Sequence, residues 1–352
     1  MQTEQIKAIA ADAQAFLHRM DVAGRRALFV RVSPGDLASA SFLDERMGLQ
    51  GRDGLWASLE DLFAIGLESS KSPIAPGFIF HIGHCGSTLL SRLLDTTPDV
   101  LGLREPLPLR DLAAAERDLD SPLSRLNPKQ WDALLDVSLR LWCRPFSAQQ
   151  RTIIKATSTC NNLIAPILQR DPGTKAVLLY QKLEPQLATM LKGAGGGMDA
   201  LQAAPIRLAF LHEFLNDDSL RLHSMESSEI IAMGWVSDLA RFHQLKASPS
   251  LGGRLLPMDF EQLLSDLPGV LGQVLRHLEF EIELDPQLSA CQVAVMQTYA
   301  KSPSHGYSPS DRSHDLDLSR RAFAAEIQRG KQWAARLIDA FPQLSLLRPL
   351  LD

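Results

Sequence analysis

The chain has 352 residues, 45% hydrophobic and 22% charged, the balance of an ordinary globular protein with material for one large domain or two small ones. Its formal net charge of −5 argues against a general nucleic-acid or membrane-surface binder. The cysteines Cys85, Cys143, Cys160 and Cys291 lie far apart and form no CxxC pair, which suits a reducing compartment and gives no metal-site signature.

In chain order, the N-terminus MQTEQIKAIAADAQAFLHRM carries acidic residues and lacks an apolar core of signal-peptide length. No later segment reaches the roughly 18 uninterrupted apolar residues of a membrane span, so the expectation is a cytoplasmic protein with no membrane partner. Residues 1–72 read as helix, loop, helix, a mainly helical cap. Ile6, Ile9, Ala10, Ala13, Phe16 and Leu17 share one helical face, and Leu55, Leu59, Leu62, Phe63 and Ile65 form a second apolar set. Between them Leu28 to Val32 reads as a short strand closed by the Ser33-Pro34-Gly35 turn.

From Pro73 the pattern becomes strand, helix, strand, helix, which sets off residues 73–352. Phe78, Ile79 and Phe80 form a buried-strand run, and Leu89, Leu90, Leu93 and Leu94 recur at helical spacing after Ser87. The intervening turn, His81 to Ser87, leaves unpaired N–H groups at a helix start, where an anion fits. Gly83 and Gly86 let the backbone curl around it, and the hydroxyls of Ser87 and Thr88 add donors. Against the NTPase loop GxxxxGK[ST], His81 stands for the first Gly and Ser87 for the Lys.

Val100 to Leu103 is a short strand ending at Arg104-Glu105-Pro106, where the proline keeps Glu105 out of the α region. That puts its carboxylate at a strand's C-terminal edge, where open α/β sheets place ligands. A helix follows over Pro128 to Trp142, then a strand over Arg151 to Lys155 and another over Lys175 to Tyr180, apolar as a strand covered on both faces should be. Gly193 to Gly197 reads as a flexible run, and Leu201 to Leu245 as helical, with Trp235 in the core. Leu255 to Glu261 is the last strand expected in the sheet; its Asp259 also reads as a Walker-B-like acid awaiting Mg²⁺. An amphipathic helix over Leu263 to Leu278 and a polar loop over Tyr299 to Arg312 come next. A final helix spans Ser319 to Leu337, with Phe323, Ile327, Trp333 and Leu337 inward.

Three stretches resemble the sulfotransferase family. His84-Cys85-Gly86-Ser87-Thr88-Leu89 is similar to its 5′-phosphosulfate loop, usually [KR]-S-G-T-T-[LW]. Leu93 to Leu112, LLDTTPDVLGLREPLPLRDL, looks like the segment after that loop in bacterial and tyrosylprotein-type members, and Leu255 to Glu261 resembles the family's V-x-Y-E-D-L strand. The resemblance implies an α/β fold, a parallel sheet of about five strands flanked by helices in a P-loop NTPase-like three-layer sandwich. A helical insertion at about 193–250 and a C-terminal lid and helix at about 299–352 would complete it.

The activity implied is transfer of a sulfuryl group from 3′-phosphoadenosine 5′-phosphosulfate to a hydroxyl or amine of a small-molecule or peptide acceptor, leaving adenosine 3′,5′-bisphosphate. Gly83, His84, Cys85, Gly86, Ser87, Thr88 and Leu89 would hold the 5′ end of the donor, and no metal is required. Glu105 would be the general base and Lys155 the contact to the bridging oxygen. His84, where the family has Lys or Arg, would act as a protonated imidazole.

The family holds the 3′-phosphate with an Arg and a Ser eight residues on, places that Gln181 and Thr189 occupy here. Gln181 brings no charge, so Lys182 beside it, or Lys301 and Arg312 from the late polar loop, would supply the cation. Plainer readings stay open: Lys155 as a solvated strand-end lysine, Glu105 in a salt bridge to Arg104 or Arg110, and the late segment as a surface loop. So do two other functions, a P-loop kinase or NTPase using Asp259, and a non-catalytic binder of a nucleotide or phosphorylated metabolite.

Overall fold

Turn chemistry decides how the chain begins. The Gly24 N–H donates to Asp21 Oδ1 (2.7 Å) and Arg25 takes φ +50°, so β1 (Ala15–Asp21) folds back as β2 (Arg26–Arg31), with Phe16 opposite Val30. After α1 (Pro34–Ser39), β3 (Gly54–Ser58) pairs antiparallel with β2, and α2 (Leu59–Glu68) follows. The computed structural model describes residues 8–49, 51–68, 75–97, 99–147, 149–280 and 286–352. Within 1–72 the mainly helical cap is corrected to a three-stranded antiparallel sheet with short helices. Phe16, Leu17 and Met20 fit a helical spacing as well as a strand, and pairing with β2 decides between them. Ile6 lies outside the described residues.

The larger sheet follows the expected strands closely. β4 (Gly77–His81), β5 (Val100–Arg104), β6 (Arg151–Lys155), β7 (Lys175–Tyr180) and β8 (Leu255–Asp259) are all parallel, in the order β5-β6-β4-β7-β8. Every residue of β4 and β5 is buried, as continuous apolar runs covered on both faces require. Pro257 is tolerated because β8 is an edge strand. The other edge, β5, is covered by α1.

Helices flank this sheet. After β4 comes α3 (Ser87–Leu94), and after β5 come α4 (Leu107–Arg117) and α5 (Pro128–Trp142). Asn127 and Gln130 cap α5 reciprocally behind Pro128. α6 (Ile164–Arg170) follows β6; α7 (Leu183–Leu191), α8 (Ala194–Leu215) and α9 (Ser227–Ala247) follow β7. The glycine run expected to be flexible is instead the start of α8. A Cβ at Gly196 would lie 2.6 Å from the Met190 carbonyl oxygen, so this glycine serves the close approach of α8 to the end of α7.

The single helix expected over Leu263 to Leu278 is two, α10 (Phe260–Ser265) and α11 (Leu267–His277), broken where Asp266 accepts the Gly269 N–H (3.1 Å). Then come α12 (Pro286–Met296), the antiparallel pair β9 (Thr298–Tyr299) and β10 (Ser302–Gly306), α13 (Pro309–Ala322) and α14 (Ala324–Ala340). The late segment is therefore a hairpin running into a helix, because Ser308 and Asp311 form a capping box behind Pro309.

One side chain ties the N-terminal sheet to the large one. Arg104, at the end of β5, is wholly buried and donates to the carbonyls of Leu37 (2.6 Å), Ala38 (2.9 Å) and Ala40 (2.8 Å) while pairing with Asp95. The Leu43 N–H returns to the Arg104 carbonyl (2.7 Å). That grip brings Phe42 and Arg46 over the C-terminal edge of the sheet. Among the described residues no helix is long and apolar enough to cross a membrane.

Candidate functional site

β4 sits at the centre of the sheet with β6 on one side and β7 on the other, so the chain leaving it enters the crevice where strand order reverses. Gly83, His84 and Gly86 all take positive φ (+86°, +52°, +79°), curling the backbone into a concave loop before α3. A Cβ on Gly86 would come within 1.9 Å of the Phe260 ring, so only glycine fits there. His81 is buried beneath the loop: its Nε2 meets the Ala156 carbonyl (2.8 Å) and its Nδ1 accepts the Gly83 N–H (3.0 Å). Burial, then the nearby Lys155 charge, push its pKa well below the ordinary value, and the ring is neutral.

Gly83 thus spends its N–H on His81. The amides from His84 to Leu89 have no protein acceptor among the described residues. Of these residues His84, Gly86, Leu89 and the hydroxyl-bearing Ser87 and Thr88 line a cleft of about 470 Å³, while Cys85 lies behind it. Arg46, Arg110, Lys155, Lys192, Lys301 and Arg312 line the cleft, and among the described residues the carboxylates on its wall are Glu105 and Asp199. In a chain of net charge −5, such a concentration of cations focuses an anion-attracting field.

Of the residues singled out from sequence, Gly83, His84, Gly86, Ser87, Thr88, Leu89, Glu105, Lys155, Thr189, Lys301 and Arg312 line this one cleft. Lys155 is 1% exposed and its ammonium pairs with the Glu105 carboxylate, which also accepts from Thr157 Oγ1 (3.4 Å). Lys155 is therefore no solvated strand-end lysine. Nor does Glu105 pair with Arg104 or Arg110: the former is bound to Asp95, and the latter lies 3.6 Å from Asp44. Glu105 stands at φ +56°, a left-handed conformation that costs a non-glycine residue about 1–3 kcal/mol.

His84 meets Asp199 across the cleft, Nε2 to Oδ2 2.8 Å, and that bond holds the Asp199 carboxyl below its ordinary value. Lys301 is an exposed residue, yet burial around its ammonium and then the Lys155 charge lower its pKa. Arg312 stacks on Phe260 (5.0 Å) and donates to Glu261 (2.6 Å). Beside it Lys192 and the Tyr307 hydroxyl share Asp315 (3.1 and 3.0 Å).

Four residues fall elsewhere. Cys85 is fully buried, its thiol donating to the Leu179 carbonyl (3.4 Å) and pushed up to about 12 by burial. Gln181 is fully buried, donating to Gln186 (2.6 Å) and accepting from the Trp235 indole (2.9 Å). Counting along the sequence puts Gln181 at a phosphate, but its side chain turns into the core. Lys182 stands at the N-cap of α7, off the cleft wall. Asp259 does not line the cleft either; it caps α10 by accepting the Glu261 N–H (3.1 Å). Sequence reasoning missed Phe42, Arg46, Lys192, Asp199 and Tyr307, and saw Arg110 only as a partner for Glu105; no local motif announces them.

No protein-family model matches this chain, and no curated protein is detectably similar in sequence. Its backbone is similar to solved sulfotransferase structures. One is the sulfotransferase domain of the Synechococcus PCC 7002 olefin synthase, with 14% identity, TM-score 0.37, and 73% of this chain and 96% of that one covered. Another is the sulfotransferase domain from the curacin biosynthetic pathway, with 14% identity, TM-score 0.39, and 76% and 98% covered. A third is a sulfotransferase of Mycobacterium tuberculosis H37Rv, with 14% identity, TM-score 0.38, and 74% and 79% covered.

Proposed function

We propose that this chain is a sulfotransferase-like enzyme that moves a sulfuryl group from 3′-phosphoadenosine 5′-phosphosulfate to a hydroxyl or amine. The observation that carries the reading is the set of unspent amides from His84 to Leu89, most of whose residues line a cleft rich in cations with the Lys155–Glu105 pair at its edge. These residues fit the donor's chemistry: a nest of N–H groups beside two hydroxyls suits a phosphosulfate. Thr189, Lys192 and Arg312 are the groups we assign to a second phosphate. In this reading residues 73–352 carry the nucleotide chemistry and residues 1–72 supply a wall through Phe42 and Arg46.

When bound, the donor supplies an activated sulfuryl group. Glu105 accepts the proton of the acceptor as its oxygen or nitrogen bonds to sulfur. Lys155 faces the charge that grows on the departing phosphate oxygen, and the loop amides hold the oxygens of the 5′-phosphosulfate, so catalysis rests on positioning and fixed dipoles. Asp259, spent on a helix cap, gives the kinase or NTPase reading no support.

Calorimetry with adenosine 3′,5′-bisphosphate and, separately, with ATP plus Mg²⁺ tests the proposal. Binding of the bisphosphate alone is expected, followed by transfer of labelled sulfate to members of a phenol, alcohol and amine panel. Binding of ATP alone would overturn it in favour of a kinase or NTPase. Binding of neither would favour a role without donor chemistry.

A further inference from the structure

Three consecutive carbonyls of the loop are held from behind by buried side chains. Asn161 Nδ2 donates to the His81 carbonyl (3.1 Å), Arg207 to that of Ile82 (3.3 Å), and Gln186 Nε2 to that of Gly83 (3.1 Å). Asp238 on α9 gathers the first two, accepting from Asn161 Nδ2 (3.0 Å) and lying 2.7 Å from the Arg207 guanidinium. A planar peptide carries its carbonyl on one side and the next N–H on the other. Whatever grips the Gly83 carbonyl therefore aims the His84 N–H, the first amide of the unspent set.

Gln186 is itself held. Its Oε1 accepts from Gln181 Nε2 (2.6 Å), and the Gln181 backbone is fixed by the Trp235 indole. A backbone carbonyl only accepts, so the bond to Gly83 fixes the Gln186 amide with its nitrogen toward the loop and its oxygen toward Gln181. Gln186 and Gln181 are 3% and 0% exposed, so both bonds lie out of solvent.

We infer that Gln186, braced by Gln181, is a positioning residue that presents the His84 N–H to the 5′-phosphate end of a bound nucleotide. Gln181 thereby serves the 5′ end of the ligand from beneath the loop, and never reaches a 3′-phosphate. The inference rests on the proposed donor site.

Its test is calorimetry of wild-type, Gln186→Met and Gln181→Met proteins with two probes, adenosine 5′-monophosphate and adenosine 3′-monophosphate. Loss of an aligned donor to a charged group weakens binding about tenfold. Both variants are expected to lose about that much affinity for the 5′-monophosphate and none for the 3′-monophosphate. Should Gln186→Met fail to fold by circular dichroism, Gln181→Met carries the same expectation. Equal losses for both probes, or none for either, would reduce the pair to a structural role. Loss confined to the 3′-monophosphate in Gln181→Met would put Gln181 at the 3′-phosphate. A wild-type protein that binds neither probe would overturn the donor site itself, and the inference with it.

Discussion

The Lys155 ammonium lies against the Glu105 carboxylate at the C-terminal ends of neighbouring strands β6 and β5, both side chains almost wholly buried. A proton acceptor and a cation are thereby fixed side by side at the cleft edge. Glu105→Gln keeps the shape and removes the base. Sulfuryl transfer should fall about 10²- to 10⁴-fold, while calorimetric affinity for the bisphosphate is kept or raised, because a negative charge has left the anion site; retained transfer would remove Glu105 from the chemistry.

Lys155→Met leaves a buried carboxylate without its partner. Unfolding in urea should show a loss of about 3–5 kcal/mol. The same variant should bind the bisphosphate less tightly, because a cation has left the anion site.

Gly86→Ala meets two obstacles, φ +79° and a ring atom of Phe260 at 1.9 Å, whereas Gly83→Ala at φ +86° has its nearest neighbour, Ser158 Oγ, at 3.3 Å. Backbone strain alone is worth about 1–3 kcal/mol at either site. The Gly86 variant should melt at the lower temperature and lose more bisphosphate affinity. Displacement of Phe260 would also unseat Arg312, which stacks on it.

Burial pushes the Cys85, Cys143 and Cys160 thiols up to about 12, and Cys291 is exposed. Near pH 8 the buried Cys85 and Cys160 and the half-buried Cys143 are almost wholly protonated thiols. A thiol reagent under native conditions should therefore label Cys291 alone among the four, as mass spectrometry of the labelled peptides would show. Rapid labelling of Cys85 would mean that the loop opens.

His81 stays neutral below the value of 6.5 at which an unfolded imidazole takes up a proton. The unfolded state then binds more protons than the folded one, so stability falls as the pH drops below 6.5, by about 1.4 kcal/mol per pH unit for this group. His18, His243 and His277 are lowered too and act in the same sense. Urea unfolding across this range should show the decline, with a shallower slope in His81→Gln.

The parallel strands were legible because strands buried on both faces leave uninterrupted apolar runs; Arg151–Lys155 and Lys175–Tyr180 match their expected ends. The loop was legible for a related reason, since Gly83, Gly86 and the paired hydroxyls announce a backbone that must curl and donate. β1 was not. Its apolar residues suit two periods, and the strand that decides between them lies across a turn.

Much of the cleft wall was equally hidden. Arg46 reaches it from the turn that Arg104 pins down, Asp199 from the second turn of α8, and Tyr307 from the residue after β10, and no spacing in the chain links them. Gln181 misled by counting: its position along the chain matched a phosphate ligand, but its rotamer did not.

The burial of Arg104 has a consequence for how this protein comes apart. Severing the chain ahead of residue 73 would take away all three carbonyls its guanidinium holds and leave Asp95 as its one partner from the bonds described. A truncated fragment should then be insoluble or molten rather than a trimmed enzyme, and the intact chain should denature in a single calorimetric peak.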